Sequence, residues 1–256
     1  MKKFSILICT RNRIALLLKA LKSISKNTKN KKLIEVLIAI DEDDKNSILF
    51  IKKNKKKFDF LIKSIICKKG KGYRENPKRL KKLINISSGQ FFIYFADDMT
   101  IDTKNWDINL DKKIKSLPKD QLYLLTTKHN QGNKNWPLCQ IISQKWYKIT
   151  KKFANCYETD TELMIISSNI MRYYICENIK IVHNQISRKD ETFKKGRQLL
   201  LDKKIYKGSV LTLKGMKNIL NDLYKIQLKI NKNKYFQKFF YLWKIYTFIP
   251  KMLQYR

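Results

Sequence analysis

Two adjacent acidic residues, Asp97 and Asp98, follow directly on the apolar run Phe91–Ala96. Carboxylates at the end of a buried strand are costly to keep charged unless a cation compensates them. A divalent ion such as Mg²⁺ or Mn²⁺ is the natural partner, because it prefers oxygen ligands and can bridge protein carboxylates to a diphosphate. The competing interpretation is a turn or a helix cap, which is a common role for aspartate where a strand ends.

Two further polar groups also follow apolar runs. Asp41 ends the run Glu35–Ile40, and Thr10–Arg13 follows the run Phe4–Cys9. A carboxylate only accepts hydrogen bonds, so at a strand tip Asp41 suits a nucleobase imide or a ribose hydroxyl. For the three acidic residues directly after Asp41, solvation in a loop is the favoured interpretation.

These polar groups interrupt a regular alternation of strands and helices over residues 1–100. Strands are predicted at Phe4–Cys9, Leu33–Ile40, Phe58–Ile66 and Phe91–Ala96. Helices are predicted between them, from Ile14 to Ile24, after Asp44, and from Asn76 with Pro77 at its first position. Such alternation implies an α/β fold with a mostly parallel central sheet flanked by helices. Ligands of these sheets bind at the carboxyl ends of the strands, so all three polar groups are expected to meet in one crevice.

The remainder of the chain has a less regular pattern. Strands are predicted at Leu122–Thr126, Leu138–Ser143 and Ile179–His183, and helices at Trp106–Lys115, Gln144–Lys152, Thr161–Ile170 and from Asp190. After about residue 206 the chain becomes lysine-rich and helical. We therefore expect one domain over residues 1–205, with a nucleotide-binding half (1–100) and an acceptor half (101–205), and a helical C-terminal extension over residues 206–256.

Residues 235–256 mix aromatic side chains with lysines. Such a segment is too charged to span a bilayer, but it suits an anionic membrane surface. The favoured alternative is a helix packed on the domain or on a second subunit.

The net charge is +35, from 56 Lys and Arg against 21 Asp and Glu. A basic surface attracts nucleic acid, but the excess is mostly lysine and arrives with abundant Ile and Asn, as AT-biased coding produces. Nucleic acid is therefore not the favoured partner. The five cysteines are odd in number and widely spaced, which indicates free thiols in a reducing compartment. The absence of a signal-like or membrane-spanning apolar run predicts a cytoplasmic protein, peripheral at most on the inner face of a membrane.

The order of these motifs resembles the family 2 glycosyltransferases and their relatives with the glycosyltransferase A (GT-A) fold. Phe4–Arg13 is similar to their first strand and Thr-x-Asn-Arg loop. Glu35–Asp41 resembles the second strand, and Ser88–Asp98 resembles the strand that delivers their Asp-x-Asp metal motif. One departure is that the first Asp of that motif aligns with Phe95. The resemblance extends over about residues 1 to 205.

For the donor, the resemblance implies that Thr10, Arg13 and Asp41 hold the nucleoside half. Arg79, on the helix after Asn76, would contact the diphosphate or the ribose, with a surface salt bridge as the alternative.

For the chemistry, the resemblance implies that Asp97 and Asp98 carry Mn²⁺ or Mg²⁺ on the diphosphate. His183 would be a further metal or diphosphate ligand, although a lone histidine at a strand end is more often structural. Asp160 is the candidate general base, with a helix cap as the competing role.

Trp106 and Trp136 could stack on a sugar ring, and a place in the core is the alternative. The function predicted is inverting, metal-dependent sugar transfer from a nucleotide-diphosphate sugar to a glycan or lipid-linked acceptor. The alternatives are a basic nucleic-acid-binding protein and a nucleotidyltransferase. The latter would normally have a Gly-rich phosphate loop after the first strand, which Thr10–Arg13 lacks.

Overall fold

The computed structural model describes residues 2–69, 75–131, 135–153, 159–184 and 213–230. The strands are β1 Phe4–Thr10, β2 Ile34–Asp41, β3 Leu61–Cys67, β4 Phe91–Tyr94, β5 Met99–Ile101, β6 Leu124–His129, β7 Ile141–Ser143 and β8 Tyr173–His183. The α-helices are α1 Ile14–Asn27, α2 Lys45–Asn54, α3 Asn76–Asn85, α4 Trp106–Lys115, α5 Gln144–Thr150, α6 Thr159–Asn169 and α7 Leu213–Ile230. Short 3₁₀ turns at Lys31–Leu33 and Lys55–Lys57 precede β2 and β3.

The eight strands of the described ranges form one sheet in the order β3-β2-β1-β4-β7-β6-β8-β5. The pairs β1–β2, β2–β3, β1–β4 and β6–β8 are parallel. The pairs β4–β7, β6–β7 and β5–β8 are antiparallel, so β5 and β7 run against the other six strands. The prediction of a mostly parallel sheet flanked by helices is confirmed.

The sheet is covered on both faces because its central strands are apolar on both sides. In β2, Val36 and Ile38 pack in one core with residues of α1, α2 and α4. Leu37 and Ala39, which point to the opposite face, pack with residues of α3, α5, α6 and α7. A strand buried on both faces has a continuous apolar sequence instead of an alternating one, and this made β1, β2 and β4 recognisable.

Close approach of two backbones fixes where β4 begins. A Cβ added at Gly89 would lie 2.4 Å from Oγ and 2.7 Å from N of Ser5, so no other residue fits without a shift. Beside it, the fully buried Glu35 accepts hydrogen bonds from Ser5 Oγ (2.7 Å) and Ser88 N (2.5 Å). Lys63 Nζ lies 3.2 Å from the other carboxylate oxygen. These contacts set the register of β4, and β4 leads directly to the acid pair.

The bounds of several strands, such as β3, β6 and β7, differ from the prediction by a few residues, and β5 and β8 differ more. β5 was not predicted, because three residues give no periodic signal and become a strand only by pairing with β8. β8 begins at Tyr173, six residues before the predicted start at Ile179. Its first part is only half-buried, and the β6–β8 register shifts between Thr127 and Lys128, so the apolar pattern there is weak.

The C-terminal helix is present as α7, which packs against α5 and α6. Its residues Ile219, Leu223 and Ile226 are buried, and Asp222 lies 3.2 Å from Lys152 Nζ. The predicted helix from Asp190 and the segment 235–256 lie outside the described residues, so the division at residue 205 stays a prediction. None of the helices in the described ranges is both long and apolar enough to cross a membrane.

Candidate active site

The acid pair lies in the turn between β4 and β5, at the carboxyl edge of the parallel strands. Asp97 accepts hydrogen bonds from Thr10 Oγ1 (2.8 Å) and Arg13 Nη1 (2.6 Å). Asp98 contacts Arg13 Nη2 (3.1 Å) and His183 Nε2 (3.0 Å). The guanidinium group therefore bridges both carboxylates. Thr10 and Arg13 lie with the acid pair, and their predicted role towards the nucleoside stays a prediction.

The left-handed backbone conformation of Asn12 separates two arginines, Arg11 and Arg13, that contact different acidic groups. Asn12 has φ 53°, a conformation that asparagine tolerates better than most residues, and its N–H donates to Asp44 Oδ2 (2.6 Å). On one side of it Arg13 reaches the acid pair, and on the other Arg11 donates to Asp43 Oδ2 (2.7 Å). The prediction of loop solvation is wrong for Asp44, which is buried and also caps α2.

Asp41, at the end of β2, forms a buried ion pair with Arg79 of α3. Arg11 Nε lies 3.7 Å from the other carboxylate oxygen of Asp41. Burial raises the pKa of Asp41, although Arg79 and Arg11 oppose that effect. The alternative of a surface salt bridge for Arg79 is wrong, because the residue is only 7% exposed. The pair places a cation and an anion at the carboxyl edge of the parallel strands.

The two charged groups lie on the same edge of the sheet, on either side of Cys9. Burial raises the pKa of the Cys9 thiol to about 12, with Asp97 and Asp41 adding to the effect and Arg79 opposing it. β1 lies between β2 and β4 in the sheet, so Asp41 at the end of β2 and the acid pair after β4 flank the end of β1. The expected convergence of strand ends is therefore present.

Asp97 is deeply buried, and Arg13 compensates only part of its charge and that of the neighbouring Asp98. Burial raises the pKa of Asp97 from 3.8 to about 6, and the neighbouring Asp98 adds to this increase. Arg13 and the Thr10 hydroxyl oppose it. A carboxylate held in this way gains from any further cation that reaches the pair.

Asp160 lies in the first turn of α6. Its Oδ2 accepts from the indole Nε1 of Trp136 (2.8 Å), and its Oδ1 accepts from the backbone N of Thr161 (2.8 Å). From the sequence, Trp136 is interpreted as a stacking residue or a core residue, and the pairing of its N–H with a carboxylate is missed because it has no local signal.

Tyr94 connects Asp160 to the acid pair. Burial raises the pKa of the Tyr94 phenol, and the charges of Cys9, Asp160, Asp97 and Asp98 raise it further. The backbone N–H of Tyr94 donates to the carbonyl oxygen of Gln140 (2.9 Å), and Gln140 Oε1 accepts from the hydroxyl of Thr159 (3.1 Å), the residue before Asp160, so hydrogen bonds tie the start of α6 to the strand that leads to the acid pair.

Trp106 does not belong to this crevice. The residue is 3% exposed, its ring centroid lies 5.9 Å from that of Phe4, and its Nε1 donates to Thr28 Oγ1 (2.8 Å). Trp106 is therefore a core residue, which the sequence offered as the alternative to stacking on a sugar ring.

Asp98 and His183 are the best-placed residues for a divalent ion. Their side chains are adjacent, one offers a carboxylate oxygen and the other an imidazole nitrogen, and Nδ1 of His183 has no hydrogen-bond partner within the described part of the chain. Among those same residues, no three His, Cys, Asp or Glu side chains converge on one point. Two protein ligands fit Mg²⁺ or Mn²⁺, because such ions usually complete their shell with water and substrate phosphates. Both oxygens of Asp97 and both oxygens of Asp98 already contact donor groups, so what favours Asp98 as a metal ligand is its contact with His183.

Several solved structures are similar to this chain in fold. TarS from S. aureus has a TM-score of 0.55 at 13% identity over 90% of this chain and 49% of its own. Its 1–349 fragment in complex with UDP-GlcNAc has a TM-score of 0.55 at 13% identity, over 88% of this chain and 80% of the fragment. The mannosyltransferase PcManGT from Pyrobaculum calidifontis, in complex with GDP-Man and Mn²⁺, reaches 0.59 at 10% identity over 92% of this chain and 77% of its own.

The chain spans about half the length of TarS. At such low identities these similarities establish the fold alone. No curated protein sequence matches the chain. The sequence profile of Glycosyl transferase family 2, however, matches residues 5–179, which include β1 to β7, the acid pair and Asp160. The chain belongs to Glycosyl transferase family 2.

Proposed function

We propose that this protein transfers a sugar from a nucleotide-diphosphate donor to a hydroxyl group of a glycan or lipid-linked acceptor, with inversion at the anomeric carbon. The observation that carries the proposal is the hydrogen-bonded cluster at the carboxyl edge of the sheet: Arg13 bridges Asp97 and Asp98, and Gln140 ties the residue before Asp160 to Tyr94, at the end of the strand that leads to the acid pair. A displacement at the anomeric carbon needs a base where the acceptor hydroxyl attacks and, on the opposite side, an acid pair that can bind a cation where the diphosphate leaves.

Each group has a place in this reaction. Asp41 and Arg79 contact the nucleoside half of the donor, where the buried pair offers an acceptor and a donor of hydrogen bonds. Thr10 and Arg13 hold Asp97 and fix the acid pair next to the diphosphate. Asp98 and His183 would hold Mn²⁺ or Mg²⁺, which supplies positive charge to the departing diphosphate when bound.

Asp160 takes the proton from the acceptor hydroxyl as its oxygen attacks the anomeric carbon. The bond between that carbon and the diphosphate oxygen breaks, and the nucleotide diphosphate leaves with the electron pair. One base with no covalent intermediate inverts the configuration. Asp160 Oδ1 accepts from the backbone N and the hydroxyl of Thr161, whereas Oδ2 accepts from the Trp136 indole and retains a lone pair for the incoming proton.

A thermal-shift screen of nucleoside diphosphates and their sugars, with and without Mn²⁺, tests the donor assignment. A ligand present at about 100 times its Kd stabilises the folded state by about 2.7 kcal/mol, or about 5–10 °C for a chain of this size. The shift should require the metal and should be lost in Asp98→Asn. The matched control is Asp59→Asn, an exposed acid that pairs with Lys31 at the opposite edge of the sheet and should keep the full shift.

Indifference to every nucleotide, with or without metal, would contradict the proposal. A shift caused by nucleic acid and abolished by salt would instead favour a basic nucleic-acid-binding protein. With a donor identified, the anomeric configuration of the product, read by NMR, tests inversion. Retention would refute the single-displacement role of Asp160.

A further inference from the structure

Two donors hold the carboxylate of Asp160. The indole N–H of Trp136 binds Oδ2, and the backbone N–H of Thr161 binds Oδ1, each at 2.8 Å. The terminal torsion of aspartate is soft, so a carboxylate held at one oxygen alone can turn about its axis. A second, charge-assisted bond from a rigid indole fixes the plane of the group.

The backbone around Trp136 is itself held. Its carbonyl oxygen accepts from Nε2 of His129 (2.8 Å) and from the backbone N of Leu138 (2.9 Å). Nδ1 of His129 accepts from the backbone N of Gln131 (3.2 Å), so the proton of the neutral imidazole lies on Nε2. His129 is buried at the end of β6, and it anchors the segment to the sheet.

A second tie joins this segment to the start of α6. The buried Gln140 donates from Nε2 to the carbonyl oxygens of Pro137 (2.5 Å) and Leu138 (2.9 Å). Its Oε1 accepts from the hydroxyl of Thr159 (3.1 Å), the residue before Asp160. Its backbone oxygen accepts from the N–H of Tyr94 in β4 (2.9 Å). The indole and the carboxylate therefore belong to one cross-linked unit that is attached to the strand leading to the acid pair.

Burial does not account for the place of Trp136. The two other described tryptophans, Trp106 and Trp146, are 3% and 0% exposed and belong to the core. Trp136 is only partly buried, and its N–H is directed at a carboxylate. We infer that Trp136 is a positioning residue that keeps Asp160 oriented to accept the proton of the acceptor hydroxyl. The inference rests on the proposed role of Asp160 as the base.

The bond can be tested without any activity. The chain has four tryptophans, so a ¹⁵N–¹H spectrum of the full-length protein contains four indole signals. Trp136→Phe identifies one of them by its disappearance. In Asp160→Ala that signal should move upfield and exchange faster with solvent, while the other three stay in place. A signal that stays unchanged would mean that no such bond exists in solution and would overturn the inference.

Steady-state kinetics test what the bond does. Trp136→Phe keeps an aromatic ring but removes the donor, and a misplaced base should lower kcat by about 10–100-fold. KM should stay within about twofold. A partly unfolded preparation would also lower the apparent kcat without changing KM, so the concentration of folded enzyme is determined from its near-UV spectrum. Trp146→Phe is the matched control, since its indole N–H has no hydrogen-bond partner within the described ranges, and it should keep kcat.

A double-mutant cycle separates this inference from the proposed function. On the Asp160→Ala background, Trp136→Phe should cause no further loss, because the group that it positions is gone. An additional loss equal to that in the wild-type background would show that Trp136 acts independently and would overturn the inference. If Asp160→Ala keeps full kcat, the base assignment itself fails, and the inference falls with it. If Asp160→Ala is inactive while Trp136→Phe keeps its kcat, only the positioning role fails.

Discussion

Replacing Asp97 by asparagine should remove a pH-dependent penalty from the stability of the metal-free protein. Burial raises the pKa of Asp97 from 3.8 to about 6, against the opposing effects of Arg13 and Thr10. A carboxyl group whose pKa is higher in the folded than in the unfolded chain favours folding in its protonated form. The stability it contributes is therefore complete below about pH 4 and is lost as the pH rises through about 6. At about 1.4 kcal/mol for each tenfold change in proton affinity, the loss is about 3 kcal/mol.

The measurement is the free energy of unfolding in urea, with a chelator present, at intervals from about pH 4 to 7.5. The difference between Asp97→Asn and the wild type should grow by about 3 kcal/mol in favour of the variant across that range. Other buried acids, such as Asp41 and Glu35, titrate in both proteins and cancel in the difference. Asp59→Asn, which removes an acid with 67% side-chain exposure, is the matched control variant.

A difference between variant and wild type that does not change with pH would refute the reasoning, because it would mean that Asp97 is equally acidic in the folded and unfolded chains. Addition of Mn²⁺ at pH 7 extends the test. A cation at the acid pair favours the charged carboxylate, so the ion should stabilise the wild type more than Asp97→Asn.

Three further substitutions test the fold around the site. Arg79→Leu removes the closest cation from the buried Asp41, leaving only the more distant Arg11 Nε (3.7 Å), and should lower the free energy of unfolding by about 3–5 kcal/mol, whereas the double variant with Asp41→Leu should recover most of it in urea melts. Gly89→Ala should cost about 1–3 kcal/mol because its methyl group would overlap Ser5, and full recovery by Ser5→Ala would contradict this, since the backbone N at 2.7 Å remains. Trp106→Phe should lower Tm and leave the KM values for donor and acceptor unchanged, and a raised KM would place Trp106 at the sugar site after all.

Much of the nucleotide-binding half could be predicted from local sequence. β1, β2 and β4 are buried on both faces, so each is a continuous apolar run that ends at a polar residue. Parallel strands joined by helices must have their carboxyl ends on one edge. The meeting of Thr10, Asp41 and the acid pair is therefore a consequence of periodicity and connectivity, without knowledge of any side-chain contact.

Contacts between distant residues could not be predicted in this way. Arg13 and Asp97 are 84 residues apart, Arg79 and Asp41 are 38 apart, and Trp136 and Asp160 are 24 apart. β5 is likewise a strand only because β8 lies beside it.

The sequence by itself determined the alternation of strands and helices, the edge of the sheet where the site lies, and the residue types available there. The tertiary structure alone decided which cation faces which carboxylate, that Asp44 is buried in an acidic loop, and that Trp106 lies in the core while Trp136 reaches Asp160. The physical reason is the distance along the chain over which each kind of interaction acts. Backbone periodicity depends on neighbours along the chain, whereas burial and hydrogen-bond partners depend on packing between segments that are far apart in sequence.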